Sequence, residues 1–354
     1  MRTTGATKVA AAWVSSAVIA TALWLLPVGL PWEQASAADR VVTDSAGREV
    51  KIPPKVDRVF VAGPPAAVVV YTLAPEKLVG WTAPLSDEKK ALMPKEYAAL
   101  PVVGRLTGSN GNAIIDEVAA RHPDIILDVG DVDARYFALA DRVQERTGVP
   151  YILMDGRLTK TAKLYRQLGD ILGATAKAAE LASYADETLA DLKLVLSAIP
   201  PDHRPRIFYA RNPDATQSAA VGSIIGEIFD TVGALNVAGE TKDAITPDQV
   251  HAWQPDVIVT SNVEFGRSAL TDPRWQGLTA VRDGRVYRAP LDPFGWVDEP
   301  PSVNRLIGIK WLIAVLYPGS SKIDMRQMAR DFYARFYHVQ LTEKQLDGVL
   351  DAAH

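Results

Sequence analysis

Cysteine is absent from all 354 residues. That excludes disulfides, thiolate metal sites and a lipid-anchoring cysteine behind a leader peptide. Histidine is scarce and scattered: the five, at positions 122, 203, 251, 338 and 354, never fall at i, i+3 or i, i+4 spacing. A catalytic or bare-metal site built on imidazole is therefore not expected. The chain has no G-x-x-x-x-G-K-[ST] phosphate loop, G-x-G-x-x-G fingerprint, H-E-x-x-H or G-x-S-x-G, the motifs of nucleotide binding, zinc proteolysis and serine hydrolysis. No charge of one sign dominates: 38 Lys and Arg face 42 Asp and Glu, a formal charge of −4. Nucleic acid, which demands a basic surface, is not an expected partner.

What is present begins at the N-terminus. Arg2 and Lys8 precede an apolar run from about Ala10 to Leu30, and Ala35-Ser36-Ala37 offers a small-x-small cleavage site. Residues 1–37 therefore read as a secretory signal peptide. The other reading, an uncleaved membrane anchor, is disfavoured by Ser15, Ser16, Thr21 and Pro27 within the run. No later segment reaches the ~18 unbroken apolar residues that a spanning helix needs. Losing Arg2, Lys8 and Glu33 takes the formal charge to −5. The expected product starts at Ala38, carries no lipid anchor and is soluble in the periplasm. Its roughly 315 residues suffice for two domains with full cores.

One pattern occurs twice. The stretch from Asp116 to Ile126, DEVAARHPDII, is echoed from Asp248 to Ile258, DQVHAWQPDVI. Six identities fall at a constant offset of 132 residues. Each copy reads as a short helix, a Pro-Asp turn and a buried strand, which is the grammar of a parallel α/β sheet. Repetition at that distance predicts two similar α/β lobes, with a ligand cleft where they meet.

Further elements fit this plan. Arg40 to Pro53 reads as a hairpin turning at Asp44-Ser45-Ala46-Gly47, and strands are predicted at Val59, Leu78–Trp81, Ile125 and Tyr151. From Thr161 the chain turns helical, with Gly169 and Gly173 breaking a first helix. Thr175 caps a second helix that Pro200-Pro201 stops. The second half opens with a strand at Arg206–Ala210, continues through Val257 and Val286, and ends in helices, the first of them capped by Ser302. The predicted organisation is a first lobe over 38–173, a bridging helix over 174–199 and a second lobe over 200–354.

At several points the residues resemble the periplasmic iron-complex and vitamin-B12 binding proteins of ABC importers. The resemblance rests on the opening from Val41 to Pro53, on Leu78-Val79-Gly80, on Pro101-Val102-Val103-Gly104 and on His122-Pro123-Asp124. It continues in Val232 to Ala238 and in Trp275 to Tyr287, and covers essentially the whole mature chain. It implies two Rossmann-like lobes joined by one long helix, a rigid clamp that acts as a monomer. Its cargo would be a small-molecule metal complex, a ferric siderophore first of all, delivered to a membrane permease with its cytoplasmic ATPase. Haem, cobalamin, a nickel chelate and molybdate or tungstate are the alternative cargoes, and no permanently bound cofactor is implied. The rival of a different class is a secreted two-lobe α/β enzyme. Its signature would be paired titratable groups with a nucleophile at strand ends, and the sequence offers none.

Ligands of open α/β sheets sit beyond the C-terminal strand ends. Arg105 and Arg211 are the sharpest candidates there, because guanidinium groups grip anionic oxygens. The alternative for each is a surface arginine, or one paired with Asp131 or Asp298. Trp81 and Tyr209 suit stacking on a chelate or belong to the core. Trp296 divides the same way, and Tyr136 is a further candidate. Arg305, in a first helical turn, reads as a salt-bridge residue. The resemblance also implies one permease-docking carboxylate per lobe. By position these fall on Asp116, at the head of the repeated helix, and on Asp230, with Glu227 as the alternate.

Overall fold

The structure is a computed structural model that describes residue 10 and residues 38–351, apart from 109, 110, 242 and 321. The expected signal segment lies outside the described residues. Strands β1 (Arg40–Thr43) and β2 (Glu49–Ile52) form the hairpin that the sequence predicts. Asp44 closes its turn: one carboxylate oxygen accepts the Ala46 and Arg48 amides, the other the Arg48 guanidinium.

Two parallel sheets follow. The first contains β3 (Val59–Val61), β4 (Ile125–Gly130) and β5 (Tyr151–Asp155), in the order β3-β4-β5. The second contains β6 (Arg206–Ala210), β7 (Leu235–Asn236), β8 (Val257–Thr260) and β9 (Val286–Arg288), in the order β7-β6-β8-β9. Between them runs the helix Thr175–Ser197. Its 23 residues span about 34 Å at the helical rise.

The sequence repeat is realised as the same local motif in both lobes. Helix Gly111–Ala120 feeds β4 and helix Pro247–Trp253 feeds β8. In both, the residue before proline adopts left-handed backbone: His122 at φ 47° and Gln254 at φ 43°. The aspartate after the proline then sets the register of the neighbouring strand. Asp124 accepts the amides of Asp57 and Arg58 at 2.7 and 2.8 Å, and Asp256 accepts that of Arg206 at 2.7 Å. Arg58 and Arg206 reach back to the carbonyls of Arg121 and Trp253, themselves repeat-mates. The Pro-Asp pair is thus more than a turn signal; its carboxylate caps the amides that a parallel edge would otherwise leave unpaired.

One hydrophobic core runs through both lobes. It joins Val59, Ile125 and Ile152 of the first sheet to Ile207 and Val257 of the second, by way of Leu181 on the bridging helix and Trp311 on the helix Arg305–Leu316. Smaller cores cover the outer sheet faces, around Ile126 and Val143 in one lobe and Phe208 and Trp275 in the other. The C-terminal helices also seal the first lobe: the Tyr71 hydroxyl donates to the Tyr337 carbonyl at 2.6 Å. A shared core resists hinge motion, because packed interiors do not deform continuously.

Several expectations need correction. Leu78–Trp81 is not a strand; Leu78 and Trp81 make only isolated bridges, to Val59 and Val102. The Pro101 carbonyl crowds Gly80 so closely that a Cβ there would lie 2.4 Å away, and Pro101 has no amide to extend a ladder. Gly169 does not break the helix Thr161–Leu172. It lets that helix touch the bridging helix, where Ala178 would lie 2.4 Å from an added Cβ. Gly173, at φ 67°, does end the helix. Thr175 is the first helical residue rather than the cap. Ser302 caps nothing, since its hydroxyl donates to the Pro65 carbonyl across the lobes at 2.9 Å. The helix beyond it starts at Arg305.

Candidate functional site

Between the lobes lies a cavity of about 450 Å³. The first lobe contributes Pro64, Ala67 and Val68 from the helix that follows β3, and the crossing segment from Trp81 to Lys89. The second contributes Arg211 beyond β6 and the loop that holds Phe294 and Asp298 to Pro301. Four of the lining residues are prolines, at 64, 84, 300 and 301, and a proline has no N–H to donate. Pro64 and Pro65 open the helix Pro64–Leu73, so the two leading positions that would offer amides to an anion are blocked.

Aromatic rings form the floor. Trp81 is buried, its ring 5.5 Å from Tyr71 and 6.0 Å from Phe294, and its indole N–H donates to the Tyr97 carbonyl at 2.8 Å. A neighbouring hollow of about 530 Å³ shares Trp81, Pro84 and Leu85 and adds Lys90, Lys95 and Val102.

The polar end is built from two carboxylates. Arg211 donates from Nε at 2.9 Å to Oδ2 of Asp298, and its Nη2 lies 2.8 Å from the same oxygen as an ion pair. Burial alone would lower the Arg211 pKa, but Asp298, Tyr209 and Glu299 together outweigh it, and the guanidinium is held above its usual range. Asp298 is 2% exposed, and its Oδ1 accepts the Glu299 amide at 2.7 Å. The Tyr209 hydroxyl donates to Ser261 at 2.8 Å, and Ser261 donates to Glu299 at 3.0 Å. Burial, joined by the like charge of Asp298, pushes the Glu299 carboxyl above the usual range. Lys89 stands half-buried on the facing wall.

The cavity thus brings together Trp81 and Arg211 among the sequence candidates. Arg211 takes its alternative, the pairing with Asp298. Arg105 is exposed in the loop that packs over the end of β3 and does not line the cavity. Tyr136 is half-buried at the end of the first sheet, under the Arg135 guanidinium at 5.7 Å. Tyr209 and Trp296 take the core position that is the alternative for each: both are fully buried and neither lines the cavity, Tyr209 lying against Phe229 at 5.1 Å and Trp296 with its indole directed to Tyr333. Asp131 pairs with Arg157. Of the docking candidates, Asp116 is exposed and bonded to Arg146 at 2.6 Å, but it sits in mid-helix rather than at the head. Asp230 is exposed. Glu227 turns inward, accepting the Leu158 amide at 2.8 Å and facing Arg305 at 3.4 Å, so it presents no surface carboxylate. Phe294 and Glu299 lie in the strand-end loop from Asp292 to Ser302, where a ligand is expected, but the sequence does not single them out within it; Ser86 and Lys89 escaped sequence reasoning, because nothing local to their segment distinguishes a cavity wall from a loop.

A second buried carboxylate lies outside the cavity. Asp128 in β4 is 2% exposed and accepts from the Tyr151 hydroxyl at 2.8 Å. Burial pushes its pKa from 3.8 up to about 6, against the opposing Tyr151 hydrogen bond. The folded protein therefore holds this proton more tightly than the unfolded chain does. Stability falls as pH rises from about 4 to about 6 and the buried carboxylate ionises. Asp128→Asn should flatten that fall and stabilise the protein at pH 7.5 by up to about 3 kcal/mol. Denaturant unfolding at pH 4.5 and 7.5 reads it, and an unchanged difference between the two pH values would refute it.

The chain is similar to a molybdate-binding protein of Haemophilus influenzae, 28% identical over 331 residues that cover 85% of this chain and 91% of the relative. It is also similar to an Fe(3+)-citrate-binding protein of Bacillus subtilis, 23% identical over 272 residues, 73% of this chain and 80% of the relative. An ABC transporter solute binding protein from Sulfurospirillum deleyianum shares the fold with a TM-score of 0.80 at 22% identity, over 88% of this chain and 99% of the other. The profile of the periplasmic binding protein family matches residues 68–293, well over half of the sequence, on the same two-lobe architecture that frames the cleft. The chain belongs to that family, the substrate-binding components of ABC transporters.

Proposed function

We propose that the protein captures a metal chelate, an iron complex of an organic ligand first of all, in the interlobe cavity and passes it to an ABC permease. The observation that carries this reading is the character of the walls. About 450 Å³ falls in the range of organic ligands, and the lining is largely aromatic and aliphatic, with prolines at four positions that carry no amide donor. A bare oxyanion prefers the opposite, a tight shell of N–H groups. Among the described residues, no group of three or more His, Cys, Asp or Glu side chains could hold a naked metal ion. The relative named for Fe(3+)-citrate fits the reading.

Molybdate is the second reading, favoured by the name of the Haemophilus influenzae relative. Asp116 and Asp230, one on each lobe and both exposed, are the proposed contacts to the permease. Export would follow cleavage after Ala37, with no cysteine present to take a lipid.

Trp81 in the cavity wall makes the test direct. Its fluorescence should be quenched saturably, at sub-micromolar concentration, by one ferric complex from a panel that also holds haem, cobalamin, a nickel chelate, molybdate and tungstate. The quench should vanish in Trp81→Phe. Response to molybdate or tungstate alone would replace the chelate by an oxyanion. Silence across the panel would remove the carrier reading of this cavity.

A further inference from the structure

We propose that Glu299 selects among chelates by accepting a hydrogen bond from a cationic or N–H-bearing arm of the organic ligand. The inference rests on the chelate reading above and names the ligand chemistry of the same cavity.

Glu299 is held by its own loop, its carbonyl accepting the Gly295 amide and its amide donating to Asp298. It adopts φ 66°, left-handed backbone that a non-glycine residue takes up at a cost and that clusters at binding sites. Its amide is engaged by Asp298, and the residue after it, Pro300, has no amide to fold back on the carboxylate. One carboxylate oxygen, Oε1, accepts from Ser261, which is oriented in turn by Tyr209. That relay fixes the carboxylate on the cavity wall. The other oxygen, Oε2, has no hydrogen-bond partner among the described residues. The nearby guanidinium of Arg211 is directed to Asp298, through one hydrogen bond from Nε and an ion pair from Nη2.

Glu299 is exposed on the cavity wall, and Oε2, which takes no hydrogen bond from the described residues, is open to a donor on the ligand. Lys89 stands on the facing wall, so the cavity is polarised, with a positive side and a negative end at Glu299. A trianionic chelate would set its charge against Glu299, whereas an ammonium or amide arm would pair with it. The apolar floor of Trp81 and Phe294 receives the hydrocarbon body of such a ligand.

The test uses a matched pair: the ferric complex of a linear trihydroxamate ending in a primary ammonium, and its N-acetylated counterpart, which has the same metal centre but one less positive charge. Ferric citrate is the anionic comparison. By fluorescence titration the ammonium complex should bind about tenfold tighter than the acetylated one, as a charge-assisted hydrogen bond implies. Glu299→Gln should reduce that ratio to within about twofold while leaving the acetylated complex bound as before. If Glu299→Gln does not fold by circular dichroism, Glu299→Asp withdraws the carboxylate by one methylene, in a residue that tolerates φ above zero, and should lower the ratio in the same direction. Chelates that bind without a preference sensitive to Glu299, or ferric citrate binding tightest, would overturn the role of Glu299 and leave the chelate reading standing. A wild-type protein that binds none of the three would overturn both.

Discussion

Arg305→Met should lower stability by about 3–5 kcal/mol, the usual cost of breaking a buried charged network. That corresponds to a fall on the order of 10 °C in melting temperature. Arg305 is fully buried. Its Nη2 donates to the Gly156 carbonyl at 2.9 Å, in the loop after β5 of the first lobe. Its Nη1 donates to the Ile224 carbonyl at 2.5 Å and faces Glu227 at 3.4 Å, both ahead of β7 in the second lobe. Its Nε donates to the Ser302 carbonyl at 3.2 Å. One guanidinium thus ties three segments at the seam of the clamp. Methionine fills similar volume but leaves several acceptors without their donor, each a separate desolvation cost. Lysine retains the charge but offers a single point of donation, so Arg305→Lys should recover only part of the loss. Thermal unfolding of the three proteins decides it; a loss below about 1 kcal/mol in Arg305→Met, the size of an ordinary substitution, would mean that the shared core alone fixes the lobes.

The contrast between what the sequence discloses and what it hides follows from distance along the chain. The hairpin at Asp44, the two repeat strands and the bridging helix are legible because each rests on contacts within a few residues. The repeat even carries its own register device, since Asp124 and Asp256 follow a visible proline. The cavity has no such grammar. Pro64, Trp81, Arg211 and Glu299 come from four distant segments, and only the packing of the lobes makes them neighbours. Tyr209 shows the consequence. An aromatic residue at a strand end reads equally as a ligand cap or as core, and what decides is that β6 lies inside its sheet, between β7 and β8. Glu227 is similar: an acidic first-turn residue is favoured by the helix dipole wherever it points, and its inward turn becomes evident only once Leu158 and Arg305 stand beside it. Arg211 was visible as a cation at the right place, but its ion pair across 87 residues was one of two open alternatives.

That ion pair governs the second large effect. Arg211→Ala should destabilise the protein by about 3–5 kcal/mol, because it strands a buried carboxylate rather than merely removing a contact. Asp298 is 2% exposed, and the side chain of Arg211 is 29% exposed. The partner lost is therefore partly solvated, while the partner left behind is not. The stranded charge also lies next to Glu299, whose carboxyl is already pushed upward by burial and by that same neighbour. Two adjacent carboxylates without a cation repel, so the loss should exceed that of a surface pair, for which about 0–1 kcal/mol is usual. The pair can be dissected. Asp298→Asn alone keeps an acceptor for the guanidinium and should cost less than Arg211→Ala. The double variant Arg211→Met with Asp298→Asn, which removes both charges, should recover most of the loss, since a buried pair replaced as a unit is often close to neutral. A double-variant cycle by denaturant unfolding measures the coupling directly. Additive losses would show that Arg211 and Asp298 act independently and that the guanidinium is free to grip an anionic ligand. Strong coupling would confirm that Arg211 is committed within the fold, leaving Lys89 and Glu299 as the cavity charges that a ligand meets.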